Sequence, residues 1–280
     1  MRIARVFPCR TEATPDDELV YINCPPPFKE TIPEIDEVHI STAFTWDKKR
    51  AEELAVHWGG LGVPVKISGP AYEKPSDGEF VPGLYIKKGY TITSRGCPNN
   101  CWYCTVGPLR ELEIKDGWNV LDDNLLACSE EHFRAVIDML KRQSHRPAFK
   151  GGLEAAILKP WQAELIKSVN PERLYCAYDT PNDYEPLVEA GKMFLNAGFT
   201  VSSHVMMCYV LIGYPGDTFE KADKRLEDTV RAGFMPFAML YRPDDWVADD
   251  PEWAKFRWSW IRPEAVGSRM SKISREEACL

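Results

Sequence analysis

Three cysteines stand close together in Ser94-Arg95-Gly96-Cys97-Pro98-Asn99-Asn100-Cys101-Trp102-Tyr103-Cys104, at C-x3-C-x2-C spacing. Three thiolates on one loop can hold three irons of a cubane cluster. The fourth iron is then free of protein ligands and can chelate a small molecule through an amine and a carboxylate. A structural zinc site competes with this reading, but zinc usually takes paired Cys or Cys/His ligands, and the sequence has no second pair. A plain electron-transfer cluster also competes, although a ferredoxin supplies a fourth cysteine close by. The other six cysteines are Cys9, Cys24, Cys128, Cys176, Cys208 and Cys279, and they show no second cluster spacing. Cys176 and Cys208 fall inside apolar stretches and are expected in the core. Cys128 could approach the loop, and Cys279 lies in the tail. The five histidines (39, 57, 132, 145 and 204) lack metal-ligand spacing, and His132 is expected on the solvated side of a helix.

A second concentration of chemistry is Val210-Leu211-Ile212-Gly213-Tyr214-Pro215-Gly216-Asp217-Thr218. Its glycines permit close backbone approach to a ligand. Asp217 is either functional or a helix cap. Acids recur at expected strand ends: Asp122-Asp123-Asn124, Glu154 in Gly151-Gly152-Leu153-Glu154, and Asp179 in Tyr178-Asp179-Thr180. For Asp122 and Asp123 a cofactor or substrate role is preferred to capping. Glu154 would be unpaired in a core or lumen unless it met a cation. Asp179 is a cofactor candidate, with loop capping before Pro181 as its rival.

The cysteine spacing, Tyr103 just before the third cysteine and the placement after a first strand together resemble the radical S-adenosylmethionine (SAM) superfamily. The wording SRGCPNNCWYC is most similar to the branch that includes cobalamin-dependent radical SAM enzymes and methylthiotransferases. The resemblance is good over residues 90–241 and weaker over 1–89. It implies a partial (β/α)6 barrel with a [4Fe–4S] cluster on Cys97, Cys101 and Cys104 at the C-terminal mouth of the strands. It implies S-adenosyl-L-methionine as second cofactor, its adenine against Tyr103, Leu211, Gly213 and Gly216, with Asp179 near its polar end. Asp122, Asp123 and Glu154 are the further cofactor candidates. Asp217 stands where the family usually has Glu, and D-D-N replaces the common G-G-E. Tyr241-Arg242-Pro243 resembles the Y-x-P ending of related enzymes. The implied reaction is reductive cleavage of SAM to a 5′-deoxyadenosyl radical that abstracts hydrogen from an unidentified substrate. The implied partner is an external electron donor such as flavodoxin or ferredoxin.

The elements that must position these residues follow a regular alternation from residue 90. Strands are expected at Tyr90–Thr93, Trp118–Leu121, Leu153–Leu158, Arg173–Tyr178, Val205–Ile212 and Phe237–Tyr241. Helices are expected at Glu130–Arg142, Trp161–Val169, Tyr184–Ala197 and Phe219–Ala232. Such alternation predicts a parallel sheet in an α/β fold. Residues 1–89 read as a small α/β domain and linker, 90–245 as the partial barrel, and 246–280 as a Trp-rich tail. In that tail Trp246, Trp253, Trp258 and Trp260 are expected to pack on the barrel's open edge or to form part of a lid.

Within 1–89, a strand at Arg2–Phe7 precedes a βαβ unit: strand Glu37–Ser41, helix Lys48–Trp58 and strand Val63–Ile67. Residues 71–89 read as linker. The piece is similar to a truncated Rossmann-like domain. It lacks D-x-H-x-x-G, so cobalamin binding is not expected, and cobalamin-dependent methyl transfer is the second reading. A methylthiotransferase would need a second three-cysteine cluster. A non-catalytic iron–sulfur or zinc module is the alternative of a different class.

The 280 residues are 44% hydrophobic and 27% charged, with net charge −8, values of a globular protein rather than a disordered one. The acidic balance makes a nucleic-acid partner an unexpected one. The opening has no apolar core of a leader, and no apolar run is long enough to span a bilayer. A cytoplasmic, reducing setting is therefore expected, which favours metal chemistry over disulfides for nine cysteines.

Overall fold

The computed structural model describes residues 1–25, 32–72, 80–104, 106–261, 266, 267 and 269. Pro26-Pro27, the 73–79 part of the expected linker, and Cys279 lie outside these. The fold is α/β with parallel sheets, and the chain divides into two units. One comprises Met1–Tyr90 with Pro243–Val247, the other Thr91–Arg242 with Ala248–Leu280.

The first unit holds β1 (Ile3–Phe7), β2 (Val20–Ile22), β3 (Glu37–Ser41) and β4 (Val65–Ser68), in the order β2-β1-β3-β4 with every ladder parallel. Helix α1 (Lys48–Gly59) links β3 to β4. It buries Ala51, Leu54 and Trp58, a spacing that places them on one helix face, against Ala4, Val6, Val38 and Ile40 of the strands. This sheet is larger than the single βαβ unit expected. The strand missed, β2, has three residues and follows the acidic Asp16-Asp17-Glu18, too short a run for periodicity to register.

Over its described part the expected linker is held to this sheet. Arg5 donates to the carbonyls of Gly83 and Leu84, at 3.2 and 3.0 Å. Tyr85 and the His39 ring nitrogen Nδ1 are hydrogen-bonded at 2.5 Å. Residues 83–85 are thus fastened to the sheet face opposite α1. Trp246 belongs to this unit and packs edge-on against Trp46, with ring centroids 5.7 Å apart.

The second unit is built on six strands. They are β5 (Tyr90–Thr91), β8 (Asn119–Val120), β9 (Ala148–Phe149), β10 (Arg173–Ala177), β11 (Met206–Ile212) and β12 (Met235–Leu240). They lie in sequential order across the sheet, and the ladders from β8 to β12 are parallel. A separate antiparallel pair, β6 (Ser94–Arg95) with β7 (Arg110–Glu111), follows β5. Helices α2 (Glu130–Lys141), α3 (Pro160–Ser168), α4 (Tyr184–Asn196) and α5 (Phe219–Arg231) alternate with the later strands.

Strand β11 buries Met206, Cys208, Val210 and Ile212 in strict alternation, as period-two patterning requires. These join Phe133, Ile137, Ile166, Leu187, Phe194 and Leu226 of the helices in one core. Cys176 and Cys208 are fully buried there, as expected. The opposite sheet face carries Tyr175, Tyr209, Leu211, Phe237 and Met239. Tyr175 and Tyr209 stack at 4.4 Å, while Phe237 and Met239 are each 41% exposed. Parallel sheets are ordinarily covered on both faces, and this apolar face is partly exposed.

The third strand is the main correction to the expected elements in this unit. The strand is Ala148–Phe149, and the expected stretch Leu153–Leu158 contains a 3₁₀ turn at Ala155–Ile157. Leu153 and Leu158 are buried, so their apolar character is satisfied without a strand. Burial alone does not distinguish a short strand from a buried turn. Gly151 to Glu154 consequently follow the strand rather than begin it.

Helix α6 (Pro251–Ile261) completes the unit. Trp260 is fully buried, with its indole N–H on Asp223 at 2.8 Å. Trp253 packs on Phe219 and Phe256, and Trp258 is exposed. Trp253 and Trp260 are therefore packing residues. No helix among the described residues is long and apolar enough to cross a membrane.

Candidate functional site

All parallel strands of the second unit deliver their C-terminal ends to one edge, where α/β proteins place ligand sites. The cysteine loop rises from that edge. Its base is the β6–β7 pair, which aligns Ser94 with Glu111 and Arg95 with Arg110. Just above, the Cys97 amide donates to the Gly107 carbonyl at 3.0 Å. Gly96 lies at φ +85°, and a Cβ there would stand 2.1 Å from the Pro108 carbonyl oxygen. The loop is thus pinched shut at a position only glycine can occupy.

Two consecutive acids at the end of β8 hold this stem. Asp122 is buried and accepts from the Thr93 amide at 2.6 Å, from the Thr93 hydroxyl, and from the Ser94 hydroxyl at 2.8 Å. Asp123 accepts from the Gly96 amide at 2.7 Å and pairs with Arg95 at 3.3 Å. Between them they grip four successive residues, Thr93 to Gly96. Gly151 makes this possible on the other side, because a Cβ there would lie 1.9 Å from the Asp122 carbonyl oxygen.

His132 belongs to the same network and corrects the expectation of a solvated helix residue. It is 8% exposed, and its Nε2 lies 3.3 Å from the Thr93 hydroxyl, whose proton goes to Asp122, so Nε2 donates to that hydroxyl. Glu111, brought over by β7, stands 3.7 Å from the other ring nitrogen.

Burial raises the Asp122 carboxyl above its ordinary 3.8, against the opposing pull of its Thr93 and Ser94 donors. A raised value means that the folded chain holds this proton more tightly than the unfolded chain. The stability it contributes is full below 3.8 and is lost as pH rises through the raised value. Asp122→Asn keeps an acceptor for the Thr93 amide, and both hydroxyls can turn to accept. Urea unfolding over a pH series is expected to show a flatter decline above about pH 4 for this variant. Parallel curves for variant and wild type would refute this account of Asp122.

Asp179 closes the site from β10. One oxygen accepts from the Tyr103 hydroxyl at 2.8 Å and the other from the Leu211 amide at 2.9 Å. It therefore ties the cysteine loop to the end of β11. Burial raises the Asp179 carboxyl, and burial together with the Asp179 charge raises the Tyr103 phenol. Trp102, 59% exposed, stands with its ring centroid 5.3 to 5.7 Å from those of Tyr103, Tyr214 and Tyr241. The cysteine loop and the Leu211–Gly213 segment thus lie at the same end of the sheet.

Asp217 is not the helix cap that its position suggests, since Thr218 caps α5. Its side chain is fully buried, accepts from the Gly213 amide at 2.9 Å and takes both Arg225 guanidinium nitrogens, at 3.1 and 2.8 Å. Arg225 also donates to the Leu211 carbonyl and lies over the Tyr214 ring. Gly213 at φ +71° is crowded by Leu240 and Trp253, while a Cβ on Gly216 would meet open space.

Asn124 was part of the D-D-N signal but had no assigned role. It is 3% exposed, and its amide nitrogen donates to Glu154 at 2.6 Å and to the Cys97 sulfur at 3.4 Å. Its oxygen is buried without a partner. Such a group costs about 1–3 kcal/mol and invites a donor from a ligand.

The thiols of Cys97, Cys101 and Cys104 are free. Burial raises the Cys101 thiol, and Cys104 and Cys97 add to that shift by charge repulsion. Among the described residues no group of three His, Cys, Asp or Glu side chains is arranged to hold one metal ion. Cys128 is buried, its thiol pushed up to about 11 by that burial.

The arrangement offers a partly exposed apolar face, backbone at Gly213 and Gly216, and acceptors at Asn124 and Glu154. No protein-family model and no curated protein matches this chain.

Proposed function

We propose that the chain is a radical SAM enzyme and that its second unit is the partial (β/α)6 barrel of that superfamily, with the open sheet face as lumen. The observation that carries the reading is a loop of three free thiols fixed by three acids from the ends of β8 and β10, Asp122, Asp123 and Asp179. The residues fit the implied cofactors on chemical grounds. Each thiolate of a cubane binds a different iron, so these sulfurs need not converge as ligands of one ion do. The same spacing disfavours a single zinc held by the three cysteines. The unpaired Asn124 oxygen beside the Glu154 carboxylate suits the ammonium group of SAM.

A [4Fe–4S] cluster held by Cys97, Cys101 and Cys104 would supply the one-electron reduction that cleaves SAM for hydrogen abstraction. The chain's own residues hold the geometry. Asp122 and Asp123 fix the loop stem, and Asp179 orients the Tyr103 ring. Leu211 offers apolar surface to adenine, and Gly213 and Gly216 let the backbone approach it. An electron donor of the flavodoxin or ferredoxin kind would serve the exposed side of the loop, where Trp102 and Cys104 lie.

Anaerobic reconstitution of the Cys97→Ala/Cys101→Ala/Cys104→Ala triple variant is expected to yield no cluster absorbance and background iron. Wild type with SAM and dithionite is expected to release 5′-deoxyadenosine. A triple variant that retains a full cluster would sink the assignment. The four-stranded parallel sheet of the first unit favours one second reading, cobalamin-dependent methyl transfer. Its marks are S-adenosylhomocysteine formed alongside 5′-deoxyadenosine and a hydroxocobalamin complex that survives gel filtration.

A further inference from the structure

We infer that Asn124 is a positioning residue that sets the reduction potential of the cluster proposed above, through an N–H···S hydrogen bond to Cys97 held in place by Glu154. The inference rests on the radical SAM reading but concerns a residue to which that reading gives no such role.

The orientation of the Asn124 amide is fixed by its neighbours. One group of the side chain lies 2.6 Å from a Glu154 carboxylate oxygen. A carboxylate only accepts, so that group must be the amide nitrogen. Rotating the amide would set oxygen against oxygen. The second N–H is then directed to the Cys97 sulfur at 3.4 Å. The amide oxygen has no protein partner that could pull the group away.

The backbone makes the same bond unavoidable. Asn124 directly follows Asp122 and Asp123, whose side chains grip Thr93 to Gly96. Cys97 is the next residue of the loop. One turn after β8 therefore positions both the sulfur and its donor. Asn124 is 3% exposed, so water does not compete for the bond.

Reduction adds a negative charge that is shared by iron, sulfide and thiolate. A donor fixed on a ligand sulfur stabilises the reduced state more than the oxidised one and raises the potential.

The test is a redox titration of the anaerobically reconstituted full-length protein, followed by electron paramagnetic resonance of the reduced cluster. Asn124→Leu removes the donor at similar volume, and Asn124→Asp replaces it with an acceptor. Each is expected to shift the reduction equilibrium about tenfold toward the oxidised cluster, which is about 59 mV for one electron. Iron content and melting temperature are measured alongside, and the variant that folds with full iron carries the result. A negative shift at full iron content supports the assignment, because a packing defect alone would lower iron occupancy or melting temperature without moving the potential. An unchanged or raised potential at full iron overturns the role of Asn124 and leaves the radical SAM reading standing. A wild type that assembles no cluster overturns both.

Discussion

Replacing Gly96 with alanine is expected to abolish assembly of the proposed cluster while leaving most of the chain folded. The added Cβ would stand 2.1 Å from the Pro108 carbonyl oxygen and 2.6 Å from that of Gly107. Both contacts are with backbone, so no side chain can swing aside. The position also lies at φ +85°, where a non-glycine residue costs about 1–3 kcal/mol before any clash. The strain falls on the neck of the loop, where the Cys97 amide meets Gly107 and the Gly96 amide meets Asp123. Opening that neck separates Cys97 from Cys101 and Cys104 and withdraws its sulfur from Asn124. Iron per chain after reconstitution is expected to fall at least tenfold, while far-ultraviolet circular dichroism stays close to wild type. A Gly96→Ala protein with wild-type iron content would show that the loop tolerates a much looser stem than its contacts suggest.

The legible part of this fold was the part written in long periodic runs. Helices α2 and α5 and strand β11 each carry several turns or pleats of one pattern, and their expected spans lie within a few residues of those found. Cys176 and Cys208 could be placed in the core because apolar neighbours flank them. Strands of two or three residues carry no such pattern. β2 was missed, and β9 was displaced onto the apolar stretch that follows it, because burial there comes from packing under the helices.

The cysteine loop was legible from residue type and spacing, but its fastening was not. Asp122 and Asp123 were recognised as unusual and read as cofactor ligands. In the fold their oxygens are occupied by the loop stem, through partners 27 to 29 residues away in sequence. His132 was read from its helix alone, and only the β7 strand and Thr93, arriving from elsewhere, enclose it. Asn124 could have been noticed as an amide among acids. Nothing in the sequence, however, places it against Cys97. Local patterns report which face of an element is covered, whereas polar networks depend on which ends of different elements meet.

The largest stability effect is expected at Arg225. This residue is the seventh of α5, eight positions after Asp217, with side chains 6% and 0% exposed respectively. Two parallel N–H···O bonds join them, and a third links Arg225 to the Leu211 carbonyl. Arg225→Met keeps much of the side-chain volume and removes the charge. It leaves the Asp217 side chain buried without its cation and held only by the Gly213 amide. Breaking a buried pair from one side costs about 3–5 kcal/mol, which in a chain of this size corresponds to a loss of roughly 10 °C in melting temperature. Adding Asp217→Asn removes the stranded charge and keeps an acceptor for Gly213. The double variant is therefore expected to regain at least about 1 kcal/mol over Arg225→Met. Both proteins lose the Leu211 bond and the contact with Tyr214, so on the proposed function both are expected to bind SAM more weakly than wild type in equilibrium dialysis. Recovery of stability without recovery of binding would separate the two duties of Arg225, neutralising Asp217 and shaping the end of β11. A double variant no more stable than Arg225→Met would mean that the destabilisation comes from lost packing rather than from the unpaired carboxylate.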